Sequence, residues 1–230
     1  MALTGAPFPY DIDNLLGGAV RILYGKVTGT GAASVPVNMA DVFDLVSPYA
    51  AKTNWTDLGA TKESFSYSRS FDTSGYEIQQ VSGNVIEEIT DISRSVEISF
   101  ADFRPEHLRM MENAPNIASV VAAANKSAQK KIAFGTFSSP EQYRFAFVAQ
   151  RPKQAGIVTE PGAPGKERGR FFMGVIYAGQ VSADELTFEQ AKGELTAAGV
   201  TFTAFPVSGQ PTGEEFGAWY DEQAGTIAAS

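Results

Sequence analysis

Residues 53–103 read TNWTDLGATKESFSYSRSFDTSGYEIQQVSGNVIEEITDISRSVEISFADF. Within this stretch Phe65, Tyr67, Arg69 and Phe71 recur at every second position, with Ser64, Ser66, Ser68 and Ser70 between them. Val96, Ile98 and Phe100 alternate in the same way with Ser95, Glu97 and Ser99. Successive side chains of a strand point to opposite faces, so a period of two predicts β-structure with one apolar face. Thr73-Ser74-Gly75 and Ser82-Gly83-Asn84 have the composition of turns. Together these signals predict short strands over 61–72, 76–81, 85–89 and 93–100. Between positions 72 and 97 the acidic residues Asp72, Glu77, Glu87, Glu88, Asp91 and Glu97 face a single basic residue, Arg94. A long, acidic, hairpin-rich segment of this kind points to a surface built for assembly.

Outward from this stretch the β pattern continues. Strands are predicted at 19–28, 131–137, 142–151, 170–177, 181–190 and 199–205. Residues 104–112 read as a short helix with Pro105 near its first position. The Ala-rich run at 113–126 fits helix or loop. Residues 1–17, with Pro7 and Pro9, read as an N-terminal arm. Residues 29–52 read as a long loop with one helical turn near 41–46, and 152–169 as a mobile loop. Residues 207–230 form a C-terminal arm that carries a short helix near 214–222 or docks on the domain. The expected fold is a single mainly-β domain spanning 1–230, sandwich- or barrel-like, with one flanking helix.

Composition narrows the function. The 230 residues are 43% apolar and 19% charged, enough for a large core without metals or crosslinks. Cysteine is absent, which removes disulfides and thiolate metal sites. Eighteen basic against 26 acidic residues give a net charge of −8 and a pI near 4.8, unfavourable for tight binding of nucleic acid. The first residues lack the basic and apolar regions of a signal peptide, and no run approaches the ~20 apolar residues of a membrane span. A soluble protein without a membrane partner is expected.

Motifs for chemistry fail on inspection. His107, the one histidine, lies in the predicted helix, and no G-x-S-x-G elbow accompanies it. Asp11-Ile12-Asp13-Asn14 opens like a calcium loop but lacks the glycine and the twelfth-position glutamate. Gly25-Lys26-Val27-Thr28 lacks the leading glycine of a phosphate loop, since Val20 stands there. Glu87 and Glu88 are neighbours in a predicted strand and point to opposite faces, so they cannot act as one acid/base pair. No catalytic residue, metal or cofactor is expected. The basic group Arg151, Lys153, Lys166, Arg168 and Arg170 exceeds its acidic neighbours Glu160 and Glu167; a solvated loop or a contact with an acidic neighbouring subunit both fit it.

The Trp55-Thr56-Asp57-Leu58-Gly59 entry, the acidic hairpin stretch and the passage Ser99-Phe100-Ala101-Asp102-Phe103-Arg104-Pro105-Glu106 resemble the major tail tube proteins of long-tailed bacteriophages. The resemblance runs from about 55 to 115 and returns in the strand Val200-Thr201-Phe202-Thr203-Ala204-Phe205-Pro206. It implies homo-hexameric rings closed by edge-to-edge strand pairing and stacked into a tube in the virion tail, after synthesis in the host cytoplasm. Tape-measure and tail-terminator proteins are the implied partners, and DNA passes through without specific binding. Glu77, Glu87, Glu88, Asp91 and Glu97 are then the pool of lumen-facing carboxylates, and the basic group Arg151, Lys153, Lys166, Arg168 and Arg170 the contact between subunits or rings. Two other readings stay open. One is a tube subunit of a contractile or type VI-like injection system; the other is a carbohydrate-binding or adhesion module using Trp55, Trp219 and Tyr220.

Overall fold

A computed structural model describes residues 20–27, 35–59, 65–77, 84–101, 103–114, 117–122, 127–133, 135, 141–153, 156–161, 166–182, 188–189 and 197–227. The strands are β1 (Val20–Lys26), β2 (Thr56–Asp57), β3 (Ser66–Glu77), β4 (Asn84–Phe100), β5 (Ile117–Val120), β6 (Gln129–Ile132), β7 (Tyr143–Gln150), β8 (Ile157–Thr159), β9 (Glu167–Gly169), β10 (Phe171–Val181), β11 (Phe188–Glu189), β12 (Ala197–Ala204), β13 (Gly217–Asp221) and β14 (Gly225–Thr226). One α-helix, α1 (Pro105–Met111), follows β4, with Pro105 in its first turn, where a missing N–H costs nothing. The chain is mainly β with one helix among the described residues.

Nine strands form one antiparallel sheet whose path runs β2-β1-β7-β10-β12-β4-β3. β10 is its hinge piece. One edge of β10 pairs with β7, while the other takes β13 at 172–176 and β12 at 179–181. The sheet is apolar on both faces at its centre, which is why β7, YRFAFVAQ, is a nearly continuous buried run. On one face Ile22, Tyr24, Val96, Ile98, Phe100, Phe145, Phe147, Val200 and Phe202 pack together under Met110 and Met111 of α1. On the other face Leu23, Ala146, Val148, Met173 and Val175 are covered by Met39, Val42, Phe43 and Trp55 from the segment 35–59. That segment, expected to be a long loop, is therefore the lid of a second core. Its helical turn is a 3-10 turn at Met39–Asp41, two residues earlier than expected.

Other expectations are corrected by pairing. Residues 73–75 do not turn. β3 runs straight through them because 87–89 of β4 lie opposite, and one long hairpin replaces four short strands. Residues 117–120, expected as helix or loop, form a strand that pairs in a separate two-stranded ribbon with 129–132, where the strand expected at 131–137 begins two residues early. The segment 152–169 contains β8 and β9, which pair with each other, and β14 joins β8 on its other edge to make a three-stranded sheet. No helix forms at 214–222; β13 occupies 217–221 and docks on β10. The arm at 1–17 and the turn at 82–83 lie outside the described residues.

Candidate functional site

The β3–β4 hairpin outgrows the sheet. β12 pairs with β4 only from Ser95 to Phe100, so residues 69–77 and 84–94 form a two-stranded ribbon without a described neighbouring strand beyond that point. Eleven residues of β4 at ~3.3 Å each make an overhang of about 35 Å.

Register sorts its side chains onto two unlike faces. On one face Ser66 lies opposite Glu97, Ser68 opposite Ser95, Ser70 opposite Ser93, Asp72 opposite Asp91 and Ser74 opposite Glu88. Asp72, Glu88, Asp91 and Glu97 are all exposed. Ser68 Oγ and Ser95 Oγ are 3.1 Å apart. This face continues onto the main sheet as Ser99, Gly199, Thr201 and Thr203. Among the described residues of β3, β4 and β12 it carries carboxylates and small hydroxyls, and no Lys or Arg.

The opposite face is the outward continuation of the core. Tyr67 pairs with Val96, Arg69 with Arg94, Phe71 with Ile92 and Thr73 with Ile89. Phe71, Ile89 and Ile92 are 52%, 56% and 40% exposed. The Arg69 guanidinium lies 5.8 Å from the Phe71 ring centre, and that of Arg94 lies 5.1 Å from Phe216. Trp219 closes the inner end of this face, stacked on Phe172 at 5.4 Å and edge-on to Tyr67 at 5.7 Å. Its indole sits over Gly174, where a Cβ would lie 2.2 Å from Trp219 Cζ3.

Of the expected lumen residues, Glu88, Asp91 and Glu97 share the polar face. The backbones of Glu77 and Glu87 pair with Asn84 and Gly75, and their side chains lie outside the described ones. Asp72, one of the six acidic residues of the stretch but not among the expected lumen residues, joins the acidic face. Only its position opposite Asp91 identifies it.

Three members of the basic group have partners within the chain. Arg168 is buried, ion-paired to Glu160 at 3.3 Å and hydrogen-bonded to Glu222 Oε1 at 2.7 Å and Leu45 O at 3.0 Å. It also stacks 4.0 Å from the Phe171 ring centre. Arg151 and Arg170 pair with Asp221 at 3.3 and 4.0 Å. Three of the five thus fasten β13 and the 35–59 lid to the start of β10, while Lys153 and Lys166 are exposed. Burial pushes the Glu160 carboxyl up. Hydrogen bonds from Tyr49 Oη and Ser47 N, with the Arg168 charge, outweigh it and hold the group below its ordinary range.

The remaining candidates are structural. His107 is fully buried between the rings of Tyr24 and Phe100. Trp55 is 6% exposed beneath the Arg144 guanidinium, so it cannot share a sugar-binding platform with Trp219. A cleft between α1, β1 and β7 is lined by Lys26, Glu106, Arg109 and Tyr143, but Lys26 and Arg109 are paired with Glu141, and Glu106 with Lys130. Glu141 accepts from Lys26, from Arg109 at 3.0 Å and from Tyr143 at 2.7 Å; burial, aided by Glu141, pushes the Tyr143 phenol up to about 12. Among the described residues no group of His, Asp and Glu is arranged to hold a metal ion, and no helix is long and apolar enough to cross a membrane.

No protein-family model matches the chain, and no curated protein matches its sequence.

Proposed function

We propose that this protein is the repeating subunit of a phage tail tube, assembled as stacked rings whose lumen passes DNA. The observation that supports this reading is the two-faced ribbon. A free monomer gains nothing from a long overhanging hairpin with unpaired edges and half-exposed Phe71, Ile89 and Ile92. Ring closure supplies a neighbour for both. Covering those three side chains contributes about 1 kcal/mol each, since each is already half-covered. The polar face then turns to the lumen.

Duplex DNA carries one negative charge per ~1.7 Å of axis. A wall of Asp72, Glu88, Asp91, Glu97 and serine hydroxyls repels it weakly and offers nothing to grip. A basic wall would hold it at every turn.

The test combines microscopy and genetics. Purified chain or tail extracts give rings and tubes by negative-stain electron microscopy. A phage carrying lysine at positions 72, 88, 91 and 97 builds tails of normal length but ejects its DNA at least tenfold more slowly at low salt. A strictly monomeric particle under all assembly conditions, or ejection kinetics untouched by the charge reversal, defeats the reading.

A further inference from the structure

The cleft between α1, β1 and β7 holds a donor-rich set of side chains for which tube assembly has no use. Its volume is about 280 Å3, at the small end of ligand pockets. Among the described residues that line it, Lys26, Arg109 and Arg144 are cationic and Glu106 alone is acidic. Thr53, Asn54 and Thr56 add two hydroxyls and an amide to the same wall.

The pairings already described leave this charge unbalanced. Lys26 and Arg109 share a single carboxylate, that of Glu141, which also accepts from the Tyr143 hydroxyl at 2.7 Å. Two cations on one anion leave a positive surplus. Glu106 does not cancel it, because Lys130 lies 2.9 Å from that carboxylate and offsets it in turn. Lys26 is 46% exposed and Arg109 25%, so both are reached from solvent.

Arg144 is built into the wall. It stands opposite Gly25 in the β1–β7 ladder. Its guanidinium lies 4.7 Å from the Trp55 ring centre, and Nη2 donates to Asn54 O at 3.2 Å. Gly25 makes the room for this arrangement: a Cβ there would lie 2.3 Å from Asn54 O and 2.9 Å from Arg144 Nε. A planar guanidinium fixed by a ring and a carbonyl is the usual recognition element for carboxylate and phosphate. Burial pulls the Arg144 guanidinium below its ordinary value, and an anion alongside it would act in the opposite direction.

We infer that the cleft between α1, β1 and β7 is a binding site for a small oxyanion, phosphate or carboxylate in class, held by Lys26, Arg109 and Arg144. Lys26 comes from β1, Arg109 from α1 and Arg144 from β7, so the bound anion ties the helix to the sheet. A ligand that binds only the folded chain stabilises it by mass action. Nothing in this site depends on ring assembly, so its test is separate from that of the tube.

Full-length chain is titrated in a calorimeter with sodium phosphate, and separately with citrate, at constant ionic strength set with chloride. At least one of the two anions binds at one site per chain and raises the melting temperature. Lys26→Met weakens that binding by about tenfold or more, the worth of one charge-assisted contact. Its melt without ligand stays within ~4 °C of native, as expected for an exposed pair. Lys153→Met, at an exposed lysine outside the cleft, leaves binding unchanged. Glu106→Gln, which takes the acid out of the cleft, tightens it. Tighter binding of phosphate assigns a tetrahedral ligand to the site, and tighter binding of citrate a carboxylate. Absence of saturable binding by either anion up to ~10 mM overturns the inference. Equal weakening by Lys26→Met and Lys153→Met, the mark of diffuse charge, overturns it too, as does weaker binding by Glu106→Gln.

Discussion

Replacing Arg168 with methionine keeps the apolar stem of the side chain and removes its charge. The guanidinium bridges Glu160 and Glu222, with both ion-pair partners nearly as buried as itself: the side chains are 4%, 3% and 11% exposed. It also donates to the carbonyls of Leu45 and Gly169. Without it two buried carboxylates face each other unpaired, the situation that costs about 3–5 kcal/mol when one partner of a buried pair is removed. For a chain of 230 residues each kcal/mol moves the melting temperature by ~2–4 °C, so Arg168→Met melts about 6–20 °C below the native chain. Thermal melts by circular dichroism at pH 7 measure this. Lys26→Met is the internal contrast, because that lysine pairs with Glu141 while 46% exposed and its loss costs under ~1 kcal/mol. Adding Glu160→Gln and Glu222→Gln to Arg168→Met removes the stranded charges and recovers at least half of the loss. A melting temperature within 2 °C of native for Arg168→Met, or a triple variant no better than the single one, refutes the reasoning.

Two further perturbations follow from the same region and from the aromatic end of the ribbon. The Glu160 carboxyl titrates below the ordinary glutamate value of 4.5, so its contribution to stability is complete above that value and is lost as pH falls through the lower folded value. The fall in melting temperature between about pH 5 and pH 3 is accordingly shallower in Glu160→Gln than in the native chain; parallel slopes would count against the linkage. Gly174→Ala places a methyl group in the Trp219 ring and lifts the indole from Phe172, costing about 1 kcal/mol, the usual worth of such a stack. Trp55, the other of the two tryptophans, stays buried, so tryptophan emission shifts to the red from Trp219 alone; an unmoved spectrum contradicts the clash.

The strands that alternate in sequence are the strands that form. β1, β7, β10 and β12 fall within two residues of their expected starts, because each has a face that must be buried whatever its neighbours are. What escaped was set by partners distant in sequence. Thr73-Ser74-Gly75 has turn composition, yet cross-strand pairing with 87–89 holds it extended. Residues 214–222 read as a short helix or a docked arm; the open edge of β10 captured Gly217–Asp221 as a docked strand, and sheet context decided between the two. Arg168 looked like loop charge because its partners lie eight residues before it and 54 after it, and no local spacing reveals a burial made by three segments. The acidic site was half legible. Its composition was plain, but membership required register, and so Asp72 went unselected.

Register also gives Thr90 a role that its chemistry does not suggest. Asp72 pairs with Asp91 and Thr73 with Ile89, so Thr90 is an extra residue in β4, its hydroxyl donating to Asp72 O at 3.2 Å. Odd positions of β4 serve the polar face on one side of Thr90 and the apolar face on the other. This inversion of parity is what sets Glu88 beside Asp91 and Ile89 beside Ile92. Drawing Thr90 into a regular ladder, with the bulge ironed out, would exchange the two, threading a carboxylate into the apolar seam and an isoleucine into the acidic wall, with no change of charge anywhere in the chain.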